Sequence, residues 1–252
     1  MSLTDFHSHI LPGVDDGSQS VAESLQMLRL SGQQGVSRIV ATPHFYPHRD
    51  SCRAFLQRRE AAFAALQVAM AQEPDLPRVA LGAEVYYFPG ISDTEEMGQL
   101  TLGGGKHLLV EMPFKAWTPA MYHDLEQLYV KQGLVPVIAH LNRYLRPFTW
   151  RKVVRELSQL PVRIQINSEA ILNRRTEGWA MGMLRKGQAH VLGSDCHNTL
   201  NSGSNIGLST CVIACSIVLS TTVGIPSLRI PPFGFGISTL STVLLLLTLT
   251  GK

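Results

Sequence analysis

The sequence predicts an α/β fold, a parallel β/α barrel with its functional site at the C-terminal mouth. Three observations lead there. Short β-rich runs alternate with helix-like segments from residue 3 to residue 195, and seven such runs can be counted. Strands that alternate with helices pair in parallel, and seven of them argue for a barrel rather than an open sheet, although periodicity alone does not close the ring. Nearly every run ends in a side chain able to bind a metal or hydrogen-bond strongly, and in a β/α barrel those ends meet on one face.

In chain order, "LTDFH" is the first strand and "VAESLQMLRLSGQQG" the first helix. "SRIVATPH" follows as the second strand, and the long "CRAFLQRREAAFAALQVAMAQ" as the second helix. "RVALGAE" and "KHLLVE" are the third and fourth strands, with a helix near 118–132 after them. "VPVIAH", a helix near 149–159, "VRIQIN", a helix near 177–186 and "AHVLGSD" complete the alternation.

The strand ends carry the chemistry. His7 and His9 stand two apart in "TDFHSHILPGVDDGS", so in a strand both imidazoles point to one face. A His-x-His pair alone is weak, because it arises by chance in many chains. The later strands end in His44, Glu84, Glu111, His140 and Asn167, then Asp195 and His197. Buried His and Glu without partners are costly and would not recur at equivalent places by packing alone, so the set reads as one metal site. Mixed imidazole and carboxylate donors suit Mn, Zn or Fe, whereas Mg and Ca sites are almost all oxygen.

Composition narrows the function classes. The 252 residues are 45% hydrophobic with a formal charge of +3, enough chain for one large domain with a buried core. No basic run interleaved with aromatics is present, so nucleic acid is not expected as a partner. Cys52, Cys196, Cys211 and Cys215 show no CxxC spacing, and the polar N-terminus reads as carrying no signal peptide; both suit a cytoplasmic protein. From Asn198 to Lys252 the only charged residues are Arg229 and Lys252. The apolar runs 206–225 and 241–251 are respectively diluted by Ser and Thr and too short to span a bilayer, so no transmembrane segment is expected.

"DFHSHILPGVDDGS", "VATPHFYP", "GAEVYY", "HLLVEMPF", "VIAHLNRY" and "LGSDCHN" together resemble the polymerase and histidinol phosphatase (PHP) superfamily. The likeness spans residues 3–198 and is nearest to the bacterial protein-tyrosine phosphatase branch linked to capsular and exopolysaccharide synthesis. It implies a distorted seven-stranded β/α barrel holding two or three divalent ions, commonly manganese. By motif position it implies His7, His9, Asp16, His44, Glu84, Glu111, His140, Asp195 and His197 as the metal shell, and Arg143 as a phosphate-binding residue. Arg143, Asp16 and His44 are taken as catalytic. The implied substrate is a phosphotyrosine protein, in particular a bacterial tyrosine autokinase of polysaccharide export.

The chemistry of the residues agrees with what the resemblance implies. Nine ligands exceed the needs of one ion, and clustered ions about 4 Å apart activate water as hydroxide and clamp both oxygens of a displacement at phosphorus. Arg143 offers a planar fork to phosphoryl oxygens. Phe45 and Tyr46, Tyr86 and Tyr87, and Phe114 flank the expected mouth and could form an apolar slot for a phenyl ring. The alternatives are a small-molecule phosphatase of the histidinol phosphate kind, and a metal-binding but inactive module.

Two motifs are set aside. "CRAFLQR" has the C-x5-R spacing of thiol phosphatases, but its intervening residues form a helix without the Gly-rich phosphate cradle. "LGGGKH" lacks the phosphate-loop ending and reads as a turn before a strand. His48, His107, His123 and His190 read as structural or surface residues. The chain divides into a phosphatase domain, 1–198, and an atypical apolar tail, 199–252. The branch typically continues past the last motif with an arginine-containing loop and a charged amphipathic helix, whereas here no arginine occurs until Arg229. A frameshifted or replaced, poorly ordered C-terminus is expected, or else an apolar tail that contacts a membrane partner.

Overall fold

The computed structural model describes residues 3–144 and 150–199. The elements are β1 (Leu3–Ser8), α1 (Val21–Gln33), β2 (Val36–Ala41), β3 (His44–Phe45), α2 (Cys52–Met70), β4 (Arg78–Leu81) and β5 (Glu84–Tyr86). They continue as β6 (His107–Glu111), α3 (Pro119–Gln132), β7 (Val135–Ile138), α4 (Trp150–Leu157), β8 (Arg163–Asn167), α5 (Glu169–Leu172), α6 (Glu177–Arg185) and β9 (Val191–Gly193). The alternation follows the sequence reading, apart from two divided strands and the short helical segments α5, Ile91–Asp93 and Glu95–Leu100, which have too few residues to show a period.

All ladders are parallel, in the orders β1-β2-β4 and β3-β5-β6-β7-β8-β9. The expected second and third strands are each broken in two. Pro43 has no N–H to donate and ends β2, while Gly82 and Ala83 separate β4 from β5. The two broken strands stay in register across the gap, with Ala41 beside Leu81 and then His44 beside Glu84. They thereby join the two sheets into one curled surface. On the other side, Ser8 bridges Cys196 in parallel, the His7 carbonyl accepts from Asp195 N at 2.8 Å and the Cys196 carbonyl accepts from His9 N at 2.8 Å.

Packing explains the curl. Phe6, Val40, Ala80, Leu109, Val137 and Ala139 come from five strands and their ends, and form a cluster on the concave side together with Leu102. The convex side is covered by helices. Met27 and Leu28 of α1 join Leu66 of α2 against Ile39, and Leu125 and Leu128 of α3 join Val154 and Leu157 of α4 against Val110 and Ile164. A strand covered on both faces must be apolar throughout, which is why β7 reads "VPVI". Ser20 and Ser51 cap α1 and α2 by accepting from the N–H of Glu23 and Ala54, and Gly133 closes α3 at φ 67°.

"LGGGKH" is a 3-10 turn leading into β6, as expected. The tail, Cys211 and Cys215 lie outside the described residues, and so do the expectations attached to them. Among the described residues no helix is long and apolar enough to cross a membrane.

At the strand starts, away from the site, His107 and His190 are pushed down to about 4 by burial and then by the nearby Arg163. His190 Nδ1 also accepts from Ile164 N at 3.1 Å, which requires the neutral ring. A histidine with a folded pKa below its unfolded value binds fewer protons when folded, so stability is complete above about pH 6.5 and declines toward pH 4. The urea midpoint should therefore fall between pH 7 and pH 4.5. His190→Asn, which keeps an acceptor but cannot protonate, should flatten part of that slope; an unchanged slope would remove His190 from the account.

Candidate metal centre at the strand ends

Each candidate ligand sits at or just beyond a strand's C-terminal end or at the start of a short second strand, except Asp16, which lies in the loop between β1 and α1. β1 presents His7 and, two residues on, His9; both are fully buried and their Nε2 atoms stand 3.1 Å apart. Glu84 opens β5 and is also fully buried. Its Oε2 lies 3.2 Å from His7 Nε2, 3.4 Å from His9 Nε2 and 3.0 Å from His44 Nδ1, while Oε1 lies 2.8 Å from His140 Nε2. Asp195 Oδ1 is 3.4 Å and 3.5 Å from the same two Nε2 atoms of His7 and His9. Glu111 approaches His140 at 3.7 Å and His44 at 3.9 Å. Asp16, at the solvent edge, stands 3.6 Å from both His44 and His197, and the His197 ring stacks on His9 at 3.9 Å.

All nine candidate ligands are therefore in one place. Three overlapping groups have donor atoms within 4.8 Å of one another: His7, His9, Glu84 and Asp195; His44, Glu84 and Glu111; and His9, Asp16, His44 and His197. His140 reaches them through Glu84.

The residues fit divalent cations. Glu84 Oε2, Asp195 Oδ1 and His44 Nδ1 are buried and face one another or the neighbouring imidazoles at 3.0–3.5 Å without a well-aligned hydrogen bond, which is costly for groups of this polarity unless something cationic takes their lone pairs. Ligand atoms about 2.1 Å from one ion stand about 3.0–3.4 Å apart, close to the spacing of the His7, His9, Glu84 and Asp195 donors.

The titration behaviour agrees. Burial alone would push His7 and His9 down, but Glu84 and Asp195 beside His7, and Asp15 and Asp195 beside His9, hold both above the ordinary imidazole range. Burial would raise Glu84 and Asp195, yet the surrounding imidazoles, His7 first, hold both well below the carboxylate range. The pocket demands positive charge, which bound cations supply in place of protons. Glu111 is shifted up by burial and by Glu84, and His197 down by burial and by His9.

A supporting layer orients the ligands. Gln165 Oε1 lies 3.3 Å from His7 Nδ1 and accepts from His140 N at 2.5 Å; its Nε2 donates to Asn167 Oδ1 at 2.9 Å, and Asn167 donates to Asp195 Oδ2 at 2.9 Å. Asp15 Oδ2 stands 2.7 Å from His9 Nδ1 and accepts from His44 N at 2.8 Å. Burial raises Asp15, but His9 outweighs it and brings the carboxyl down to about 2. Asp5, pushed up to about 6 by burial, ties Ser194 N at 3.0 Å to His7 N at 3.1 Å. With Nδ1 engaged in this way, His7 and His9 turn Nε2 to the common centre.

The backbone bends to achieve this. His140 at φ 30° and Asp195 at φ 55° occupy the left-handed region, at a cost of roughly 1–3 kcal/mol each. A Cβ on Gly17 would meet His9 O at 2.1 Å, and one on Gly193 would meet His7 Cβ at 2.6 Å. Only glycine lets these segments close on the two histidines.

Asp5, Asp15, Gln165 and Ser194 were not singled out from sequence as site residues, although a Gln at the centre of apolar "RIQIN" and an Asp in "LTDFH" are buried polar groups that need a reason. The expected aromatic slot is corrected in part. Phe45 packs into the core on Phe55 at 5.2 Å, and Tyr87 is buried with its hydroxyl donating to Asp124 at 2.6 Å. Successive strand residues face opposite sides and residues two apart share one, so Tyr46 and Tyr86 line the mouth instead, 5.7 Å apart, with Tyr46 stacked on His44 at 5.1 Å. Phe114, 54% exposed, lies parallel to His140 at 6.4 Å, and Tyr144 joins it at 5.1 Å. Arg143, half-exposed in the 3-10 turn after β7, pairs through Nη2 with Asp195 Oδ2. His48 is drawn toward the Tyr46 ring at 5.8 Å, nearer the mouth than a purely surface residue; His123 is on the surface of α3.

Cys52 and Arg58 lie on α2, where burial raises the thiol pKa and Arg58 pairs with Asp50, so no thiolate is prepared there. Gln165→Leu and Asp15→Asn should each weaken divalent-metal affinity by about 10–100-fold, because they release a ligand ring and not a ligand. Calorimetric titration of manganese into chelator-stripped protein checks this; unchanged affinity would reduce both to packing residues.

Comparison with known proteins places the site in a family. The sequence model described as "Capsular polysaccharide synthesis, CpsB/CapC" matches residues 3–215, which runs past the expected domain boundary at 198. The chain is 32% identical over 211 residues to the tyrosine-protein phosphatase CpsB of Streptococcus pneumoniae, covering 78% of this chain and 83% of that protein. It is 29% identical to the tyrosine-protein phosphatase YwqE of Bacillus subtilis, covering 78% of each. A solved structure from the work on YwqE from Bacillus subtilis and CpsB from Streptococcus pneumoniae, described there as unique metal-dependent tyrosine phosphatases, superposes with a TM-score of 0.66 at 24% identity, covering 78% of this chain and 80% of that one. That superposition establishes the shared fold. The profile match and the 32% identity together establish that the chain belongs to the CpsB/CapC family.

Proposed function

We propose that the chain is a metal-dependent protein-tyrosine phosphatase that acts in the control of capsule or exopolysaccharide synthesis. The observation that carries the reading is the fusion of three donor groups through His9, His44 and Glu84, beside an arginine and between aromatic walls. The names of its relatives in the family support the same activity.

Its finer parts are as follows. All nine ligands hold two or three divalent ions, manganese in the first place, with Zn or Fe as substitutes. Bound ions would lower the pKa of water and neutralise phosphoryl oxygens. Arg143 receives the phosphoryl group while Asp195 anchors its guanidinium. Tyr46, Tyr86 and Phe114 flank the leaving phenol. Asp16 and His44, facing each other at the solvent edge, would hold the outermost ion next to the attacking water and the leaving phenol. The strands close into seven staves, with β2/β3 and β4/β5 each counted as one. The chain works in the cytoplasm on a tyrosine autokinase of polysaccharide export.

A phosphotyrosine peptide should be hydrolysed with higher kcat/KM than histidinol phosphate when manganese is supplied. His7→Ala and Glu84→Ala should each lower turnover by about 10²-fold or more while the circular dichroism spectrum is kept, since each removes a ligand and little core volume. Cys52→Ser should retain most of the activity. A preference for histidinol phosphate, or a dead Cys52→Ser variant, would overturn the reading.

A further inference from the structure

Charge is divided unevenly along the chain. Residues 1–140 hold ten Lys and Arg against fifteen Asp and Glu, whereas residues 141–190 hold ten against three. The second stretch includes the connections that follow β7 and β8, and connections at strand C-termini surround the mouth. Arg151 and Lys152 lie at the start of α4, and Arg174 and Arg175 between α5 and α6. The two connections are tied together where Asn142 Oδ1 accepts from Asn167 N at 2.9 Å, one residue from Arg143.

All four side chains are exposed. The nearby ion pairs are Arg143 with Asp195 and Arg155 with Glu156; among the described residues Arg151, Lys152, Arg174 and Arg175 make none. Segments 145–149 and 200–252 contain no Asp or Glu, so they bring no carboxylate side chain that could pair them. The first turn of α4 holds no acidic residue either, and cations there run against the helix dipole. An ordinary solvated face holds both signs in near balance, whereas here cations are in excess: Glu169 and Glu177 are the acidic neighbours of Arg174 and Arg175 in sequence, and among the described residues neither forms an ion pair with them. The Arg151 guanidinium lies over the Trp150 ring, 5.4 Å from its centroid.

We infer that Arg151, Lys152, Arg174 and Arg175 form a ridge that docks a second anionic group of the substrate, a carboxylate or a further phosphoryl group a few residues from the phosphotyrosine in the mouth. The inference rests on the phosphotyrosine reading above. Guanidinium forks donate to carboxylate and phosphoryl oxygens alike, and exposed cations act mainly by steering, so the preference is sensitive to salt.

The test uses the full, manganese-loaded chain and labelled peptides that carry a non-hydrolysable phosphonate analogue of phosphotyrosine. Their flanks are Glu, a second phosphonate, or Ser and Gly. Both anionic peptides should bind about ten-fold more tightly than the neutral one at low salt, and the advantage should shrink at high salt. Arg174→Glu with Arg175→Glu, and separately Arg151→Glu with Lys152→Glu, should remove much of that advantage. Neither pair should change neutral-peptide binding or p-nitrophenyl phosphate turnover by more than about two-fold. The two anionic arms show which group the ridge prefers. Equal affinity for all three peptides, or an equal loss on all three in both variants, would overturn the inference. Failure to hydrolyse any phosphotyrosine peptide, whatever its flanks, would instead overturn the substrate reading and the inference with it.

Discussion

The structure depends on a carboxylate placed where water cannot reach it. Glu84 is fully buried and lies within 3.4 Å of the rings of His7, His9, His44 and His140. An ionised group in such a place is tolerable only if positive charge surrounds it. Protons on the imidazoles can provide that charge, and so can metal ions, which release those protons as they bind. The elements that deliver the four rings answer to this requirement. β1 places two histidines on one side, the Pro43 break sets His44 beside Glu84, and the left-handed turn at His140 swings its ring inward.

The rest of the mouth grades outward from that centre. Gln165, Asn167, Asp15 and Asp5 are polar groups spent on holding ligands, with few contacts to solvent. Beyond them stand the rings of Tyr46, Tyr86 and Phe114, and the connections that follow β7 and β8 carry exposed cations. A phosphorylated aromatic side chain has the same order of parts: dianion at the tip, ring behind it, and peptide flanks outside.

Much of this was legible in the sequence, because strand ends in a parallel α/β fold are positions of known direction. His7, His9, His44, Glu84, Glu111, His140 and Asp195 each close or open a short apolar run, and the run supplies the register. The breaks at Pro43 and Gly82 were invisible to a pattern of apolar residues, since they interrupt hydrogen bonds and leave the alternation intact. Phe45 and Tyr87 adjoin mouth residues in sequence and yet leave the mouth, because the two-residue period of a strand sends neighbours to opposite faces. The supporting residues were hidden for another reason. Whether Gln165 or Asp15 touches a ligand depends on contacts across 158 and 6 residues, and no local spacing encodes the first of them.

The central claim is that one buried carboxylate is shared by more than one ion. Anomalous scattering at the manganese edge, from crystals grown with manganese and without chelator, measures it directly. The account predicts two or more peaks within ligand distance of the nine donors, with Glu84 contacting at least two of them. A single peak, or peaks that leave Glu84 without a metal contact, would contradict it.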